Sequence, residues 1–181
     1  MQAFREQLQQ QQRYEVADFY GGIVTSTFDL EVREDLQKCM VRDEKLVEIW
    51  DQGISSLSKG EEDEATRLFG LALARFNDDL EPCIDNAKLN IVTRQFAMWW
   101  DSFWGEHDTD LGNDIIAKHK SENKLKVMES KLAMRLNWET GYYYDAGKRF
   151  GNLWKIMIGA PEWIDELEAY YGVDEHTYSQ S

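Results

Sequence analysis

Apolar residues recur along most of this chain with the i, i+3, i+4 rhythm of helices packed on one side. The clearest case lies between Cys39 and Cys83. Leu46, Ile49, Trp50, Gly53, Ile54 and Leu57 mark one helical face, and Ala65, Leu68, Phe69, Ala72, Leu73 and Phe76 mark a second. Between them Ser58-Lys59-Gly60 supplies a residue that tolerates the left-handed conformation, and Glu61 to Glu64 place negative charge at the start of the next helix. The pattern predicts an αα-hairpin. The two cysteines stand nearly equidistant from its glycine turn, so antiparallel arms with a rise of about 1.5 Å per residue bring both sulfurs to one level, roughly 30–35 Å from the turn. A Cys39–Cys83 disulfide is expected, which implies an oxidising compartment. Two buried free thiols are the alternative.

The device recurs 81 residues later, where Ala65, Phe69, Gly70, Leu73 and Phe76 correspond to Ala146, Phe150, Gly151, Trp154 and Met157, and Gly60 to Gly141. Before the turn the match is looser, with Lys45-Leu46 set against Lys124-Leu125 after a two-residue gap. A duplicated hairpin is the reading, and its second copy is expected to use Leu125, Met128, Leu132 and Leu136 as its packing stripe. A helix over Asp114–Glu139 and a closing helix from Tyr143 to Met157 carry that copy, with Gly147 and Gly151 allowing close backbone approach.

Elsewhere the pattern is less regular. Residues 1–20 read as an N-terminal helix or arm interrupted by glutamines. Gly21-Gly22 is expected to break that helix, and Ile23, Val24, Thr25 and Thr27 to form a short extended crossing before helix resumes near Phe28 or Asp29. Segment 39–83 is the first hairpin, 85–159 the second helical part, and 160–181 a short C-terminal helix and tail. The predicted fold is all-α: a helical bundle of two repeated hairpins plus N-terminal and short C-terminal helices, in a single domain over 1–181.

Composition narrows the functional classes. The net charge of −14 argues against nucleic acid or an anionic membrane surface as a partner, since both call for basic patches. No apolar run is long enough to span a bilayer. No signal peptide is visible, so a leader is expected to have been removed or not included.

The densest aromatic stretch, Met98 to Trp104, follows a helical face through Leu89, Val92, Phe96, Trp99, Trp100 and Phe103. These rings either fill the core or line a ligand cradle, with Trp104 near the rim. Trp99, Trp100, Phe103, Trp104, Trp163, Tyr170 and Tyr171 are the candidate interface or ligand residues. Gly105 to Asn113 reads as a polar loop in which Glu106, His107, Asp108 and Asp110 are weak candidates for divalent-cation binding, although the spacing does not fit an EF-hand. No cofactor motif or catalytic constellation appears. A non-enzymatic protein acting by self-assembly or protein contact is expected, as a homo-oligomer or with an assembly partner. A helical carrier of an apolar ligand or lipid is the alternative.

Phe19 with Gly22, the paired Cys39 and Cys83 around a Lys-Gly turn, and the second hairpin's Tyr144-Asp145-Ala146-Gly147-Lys148-Arg149-Phe150-Gly151 resemble a set of uncharacterised small secretory helical proteins of ciliates. The likeness spans about Phe19 to Gly159, and the tryptophan content and glutamine-rich start depart from it. It implies a helical bundle and an extracellular or secretory-granule location, and no activity.

Overall fold

The computed structural model describes residues 1–5, 15–40, 43–107 and 109–161. Besides a helical turn at residues 2–5, the described residues form eight α-helices and one 3-10 turn, with no strand: α1 (Glu15–Phe28), α2 (Arg33–Cys39), α3 (Glu44–Ser58), α4 (Glu62–Asp79), the turn Glu81–Cys83, α5 (Ala87–Glu106), α6 (Thr109–Glu122), α7 (Lys124–Glu139) and α8 (Tyr143–Ile158). The protein is an all-α helical bundle.

Its centre is α1. Val16, Ala17, Phe19, Tyr20, Ile23, Val24 and Thr27 are all buried, so this helix is covered nearly all round. The expected break at Gly21-Gly22 and the extended crossing after it do not form. The two hydroxyls of Thr25 and Thr27 return to the helix, hydrogen-bonding the carbonyls of Gly21 at 3.0 Å and Ile23 at 2.7 Å, which reconciles a β-branched run with helical backbone. Glycine here serves proximity. A Cβ at Gly22 would stand 2.0 Å from the Tyr144 carbonyl oxygen, and one at Gly147 would stand 1.9 Å from that of Phe19. With Gly151 against Ser26, these positions let α1 and α8 meet backbone to backbone. The chain then turns at Asp29, which has φ 54°, in place of the glycines.

Both hairpins form. Gly60 and Gly141 have φ of 80° and 83°. In the first turn the Gly60 N–H donates to Leu57 and the Glu61 N–H to Ser56; in the second, Gly141 donates to Trp138 and Tyr142 to Asn137. Each is a Schellman closure, and the two are 81 residues apart. Phe69 and Phe150, at equivalent positions, touch at 4.7 Å between ring centroids. Phe19 reaches from α1 into the same cluster, 5.0 Å from Trp50 and 5.1 Å from Trp138.

Cys39 and Cys83 are disulfide-bonded, with Cα atoms 5.1 Å apart. Cys39 ends α2 and Cys83 lies in the 3-10 turn after α4, so the bond closes the open end of the α3–α4 hairpin. Nearby, Asp18 receives both Arg33 Nε at 2.9 Å and Gln37 Nε2 at 2.6 Å, tying α2 to α1.

Three expectations in the second half are corrected. The long helix over Asp114–Glu139 is divided at Asn123, where φ −118° and ψ 31° leave the helical region. The loop expected over Gly105–Asn113 is shorter, because α5 runs through Glu106 and α6 begins at Thr109. Most consequentially, Leu125, Met128, Leu132 and Leu136 face outward, being 81%, 57%, 60% and 52% exposed, while Val127, Ser130, Met134 and Trp138 face the core. The expected C-terminal helix, with Trp163, Tyr170 and Tyr171, lies outside the described residues.

Candidate functional site: a tryptophan-walled cavity and an outward apolar face

Helix α5 is positioned by its N-cap, where the Asn86 side chain accepts from the Leu89 N–H at 3.0 Å, and by the aromatic rings that follow it along one face. Phe96 packs on Trp154 at 5.3 Å, and Trp99 sits 6.0 Å from Phe28. The Trp99 indole N–H donates to the Gly159 carbonyl at 3.0 Å. Trp99 and Phe103 are both buried.

Trp100 and Trp104 are different. Their rings meet tilted, 5.9 Å between centroids, and with Trp154, Phe69, Met157 and Ile158 they line an apolar cavity of about 40 Å³ bordered by α3, α4, α5, α6 and α8. The Trp104 indole nitrogen is shielded from solvent without a hydrogen-bond partner. At the mouth Glu62 receives Lys120 at 3.0 Å and Lys131 at 2.6 Å. Burial works against the ionised form of Glu62, but the hydrogen bonds from the two ammonium groups outweigh it and hold its carboxyl below the usual range. Trp100 also borders a shallow groove of about 330 Å³ between α4 and α5, with Tyr20, Gly70, Leu73, Phe76 and Phe96 among its lining residues. In sequence Glu62 belongs to a helix-capping run, and its lysine partners meet it only once α6 and α7 are brought to the start of α4.

Glu106, His107 and Asp110 do not assemble into a metal site: among the described residues no group of three or more His, Cys, Asp or Glu side chains is placed to hold an ion. The His107 ring instead meets the Phe103 carbonyl through Nδ1 at 2.6 Å, within its own helix turn. Asp108 lies outside the described residues. No helix among the described residues is long and apolar enough to cross a membrane.

The second feature is the outer face of α7. Four large apolar side chains, Leu125, Met128, Leu132 and Leu136, stand in one row in solvent with exposed Lys124, Lys126, Glu129, Arg135 and Glu139 around them. Contiguous exposed apolar surface of this kind marks contact sites far more often than scattered single residues do. No protein-family model, curated protein or solved structure matches this chain.

Proposed function

We propose that this protein is a non-enzymatic interaction subunit that acts by protein–protein contact through the outer face of α7, in an extracellular or secretory-granule setting. The observation that carries the reading is the outward row Leu125, Met128, Leu132 and Leu136 on a helix whose opposite face already supplies the core. Nothing in the fold's stability calls for those four residues to be apolar. The Cys39–Cys83 disulfide and the resemblance to ciliate secretory proteins support the location.

Amine-reactive cross-linking of the protein in its source material, followed by peptide mass spectrometry, tests the contact. Interchain links are expected at Lys124 or Lys126, which flank the row, and they should vanish in the M128E/L132E variant. Interchain links confined to other surfaces would reject the α7 face.

A carrier of an apolar ligand is the second reading, favoured by the tryptophan-walled cavity and the adjoining groove. Sites for drug-sized molecules run to roughly 300–1,000 Å³. The cavity is far below that, so a lipid would require the groove beside Trp100. Mass spectrometry of material extracted from the native protein distinguishes the readings, since a carrier retains a stoichiometric small molecule.

A further inference from the structure

We propose that the occupant of the α7 face is a second copy of this chain, packed antiparallel across a two-fold axis near residue 130. This rests on reading α7 as a contact face and adds the identity and orientation of the partner. The row is spaced three, four and four residues apart, close to a palindrome. Turning one copy end over end about the region of Ser130 sets Leu125 against Leu136 of the other, and Met128 against Leu132. A two-fold interface requires such self-complementarity, because one patch must serve both sides. Each side chain in the row then has an apolar mate, and none faces a charge.

Electrostatics favour the same surface. The chain carries −14 overall, so most approaches of two copies bring acid against acid. On the outward face of α7 the balance reverses slightly, with Lys124, Lys126 and Arg135 against Glu129 and Glu139, while Lys131 is engaged by Glu62. In the antiparallel register Lys124 is level with residue 137 of the other copy, two residues or roughly 3 Å along the axis from both Arg135 and Glu139. It would join the existing Arg135–Glu139 pair, whose Nε···Oε1 distance is 2.8 Å. One helix per copy makes an interface below the ~800 Å² per partner of standard complexes, so dissociation in roughly the micromolar range is expected.

Sedimentation velocity of the full chain over a concentration series tests the association. A reversible monomer–dimer equilibrium is expected, and M128E/L132E should remain monomeric throughout while keeping its helical circular dichroism. Orientation is read by mixing chains carrying L125C with chains carrying L136C: the mixture should form an interchain disulfide, and L125C alone should not. The Cys39–Cys83 link is verified in each case by peptide mapping. Monomer at every concentration, a dimer that survives M128E/L132E, or ready L125C–L125C linkage would each overturn the proposal. So would carbodiimide-formed amide links, within one chain, from the carboxylates of Glu162, Asp165, Glu166 or Glu168 to Lys124 or Lys126. If the protein is monomeric yet its Lys124 or Lys126 is cross-linked to a different protein in source material, the second-copy assignment fails while the contact face stands; with neither, both fail.

Discussion

A methyl group at Gly147 has nowhere to go, because the atom it would strike is the carbonyl oxygen of Phe19 and backbone cannot rotate aside as a side chain can. G147A should therefore destabilise the protein by about 3 kcal/mol, the upper part of the range for overpacking, measured by denaturant unfolding. G70A is the control. Its Cβ would meet nothing within 4 Å, so replacing that helix-interior glycine should stabilise by about 0.4–1 kcal/mol. Equal gains at both positions would show that helix propensity rather than the α1–α8 contact governs these glycines. A different kind of sensitivity resides at Asp79. Burial first, and then the charges of Asp43 and Asp78, push its carboxyl up to about 6, and its Oδ2 has no hydrogen-bond partner. Because the folded chain binds this proton more tightly than the unfolded chain, the penalty of the ionised group is absent below the ordinary value of 3.8 and fully present above pH 6. D79N should accordingly raise the melting temperature at pH 7.5 and leave it nearly unchanged near pH 4. A gain of the same size at both values would mean that the amide acts through packing or new hydrogen bonds and not through the charge.

Helix α7 shows how an element can be legible in the sequence while its orientation is not. Val127, Ser130, Met134 and Trp138 have the same three, four, four spacing as Leu125, Met128, Leu132 and Leu136, displaced by two residues, which turns the row about 200° around the helix. Periodicity alone cannot choose between two such rows. The core takes the one whose Trp138 reaches Phe19 and whose indole N–H donates to Asp51 at 3.0 Å. M134A is expected to cost 2–5 kcal/mol and L132A less than about 0.5 kcal/mol in the same unfolding assay; the reverse ranking would reject the outward assignment of Leu132. The information that resolves the choice lies in the repeat. Carrying the 81-residue offset through the turn without a gap pairs Leu46 with Val127 and Leu57 with Trp138, all four of them buried, whereas the gapped match of Lys45-Leu46 to Lys124-Leu125 selects the solvent row. Both glycine turns and the cysteine pair were readable because each depends on a local conformation or on simple arm lengths. Helix α1 was not, since β-branched residues and paired glycines signal strand and break locally, and only burial on every side makes them a helix. The Glu62, Lys120 and Lys131 cluster likewise arises from three separate helices and leaves no mark in any one segment.

At the scale of the whole molecule, the Cys39–Cys83 bond encloses both α3 and α4, a separation of 44 residues. It thereby limits the unfolded chain across one of the two hairpins that frame α1. In the chain-entropy description a loop of this length contributes on the order of 4 kcal/mol, a large share of the roughly 5–15 kcal/mol that holds a domain together. The bond joins α2 to the 3-10 turn beside Cys83, where Leu36, Met40 and Leu80 are buried, Asn86 Nδ2 donates to Asp35 Oδ1 at 3.1 Å, and Lys88 Nζ lies 3.8 Å from Asp35 Oδ2. The two partly exposed polar contacts are worth little beside the covalent link. For a chain of this length each kcal/mol moves the melting temperature by about 2–4 °C, so the C39S/C83S variant should melt roughly 8–16 °C below the oxidised protein, and reductant should bring the wild-type protein to nearly the same point. Serine at the Cys83 position adds a small burial cost, since that residue is 2% exposed; C39A/C83A separates this from the loss of the cross-link. A wild-type melting temperature indifferent to reductant, with both thiols verified as free by alkylation, would show that the helix packing alone sustains the fold.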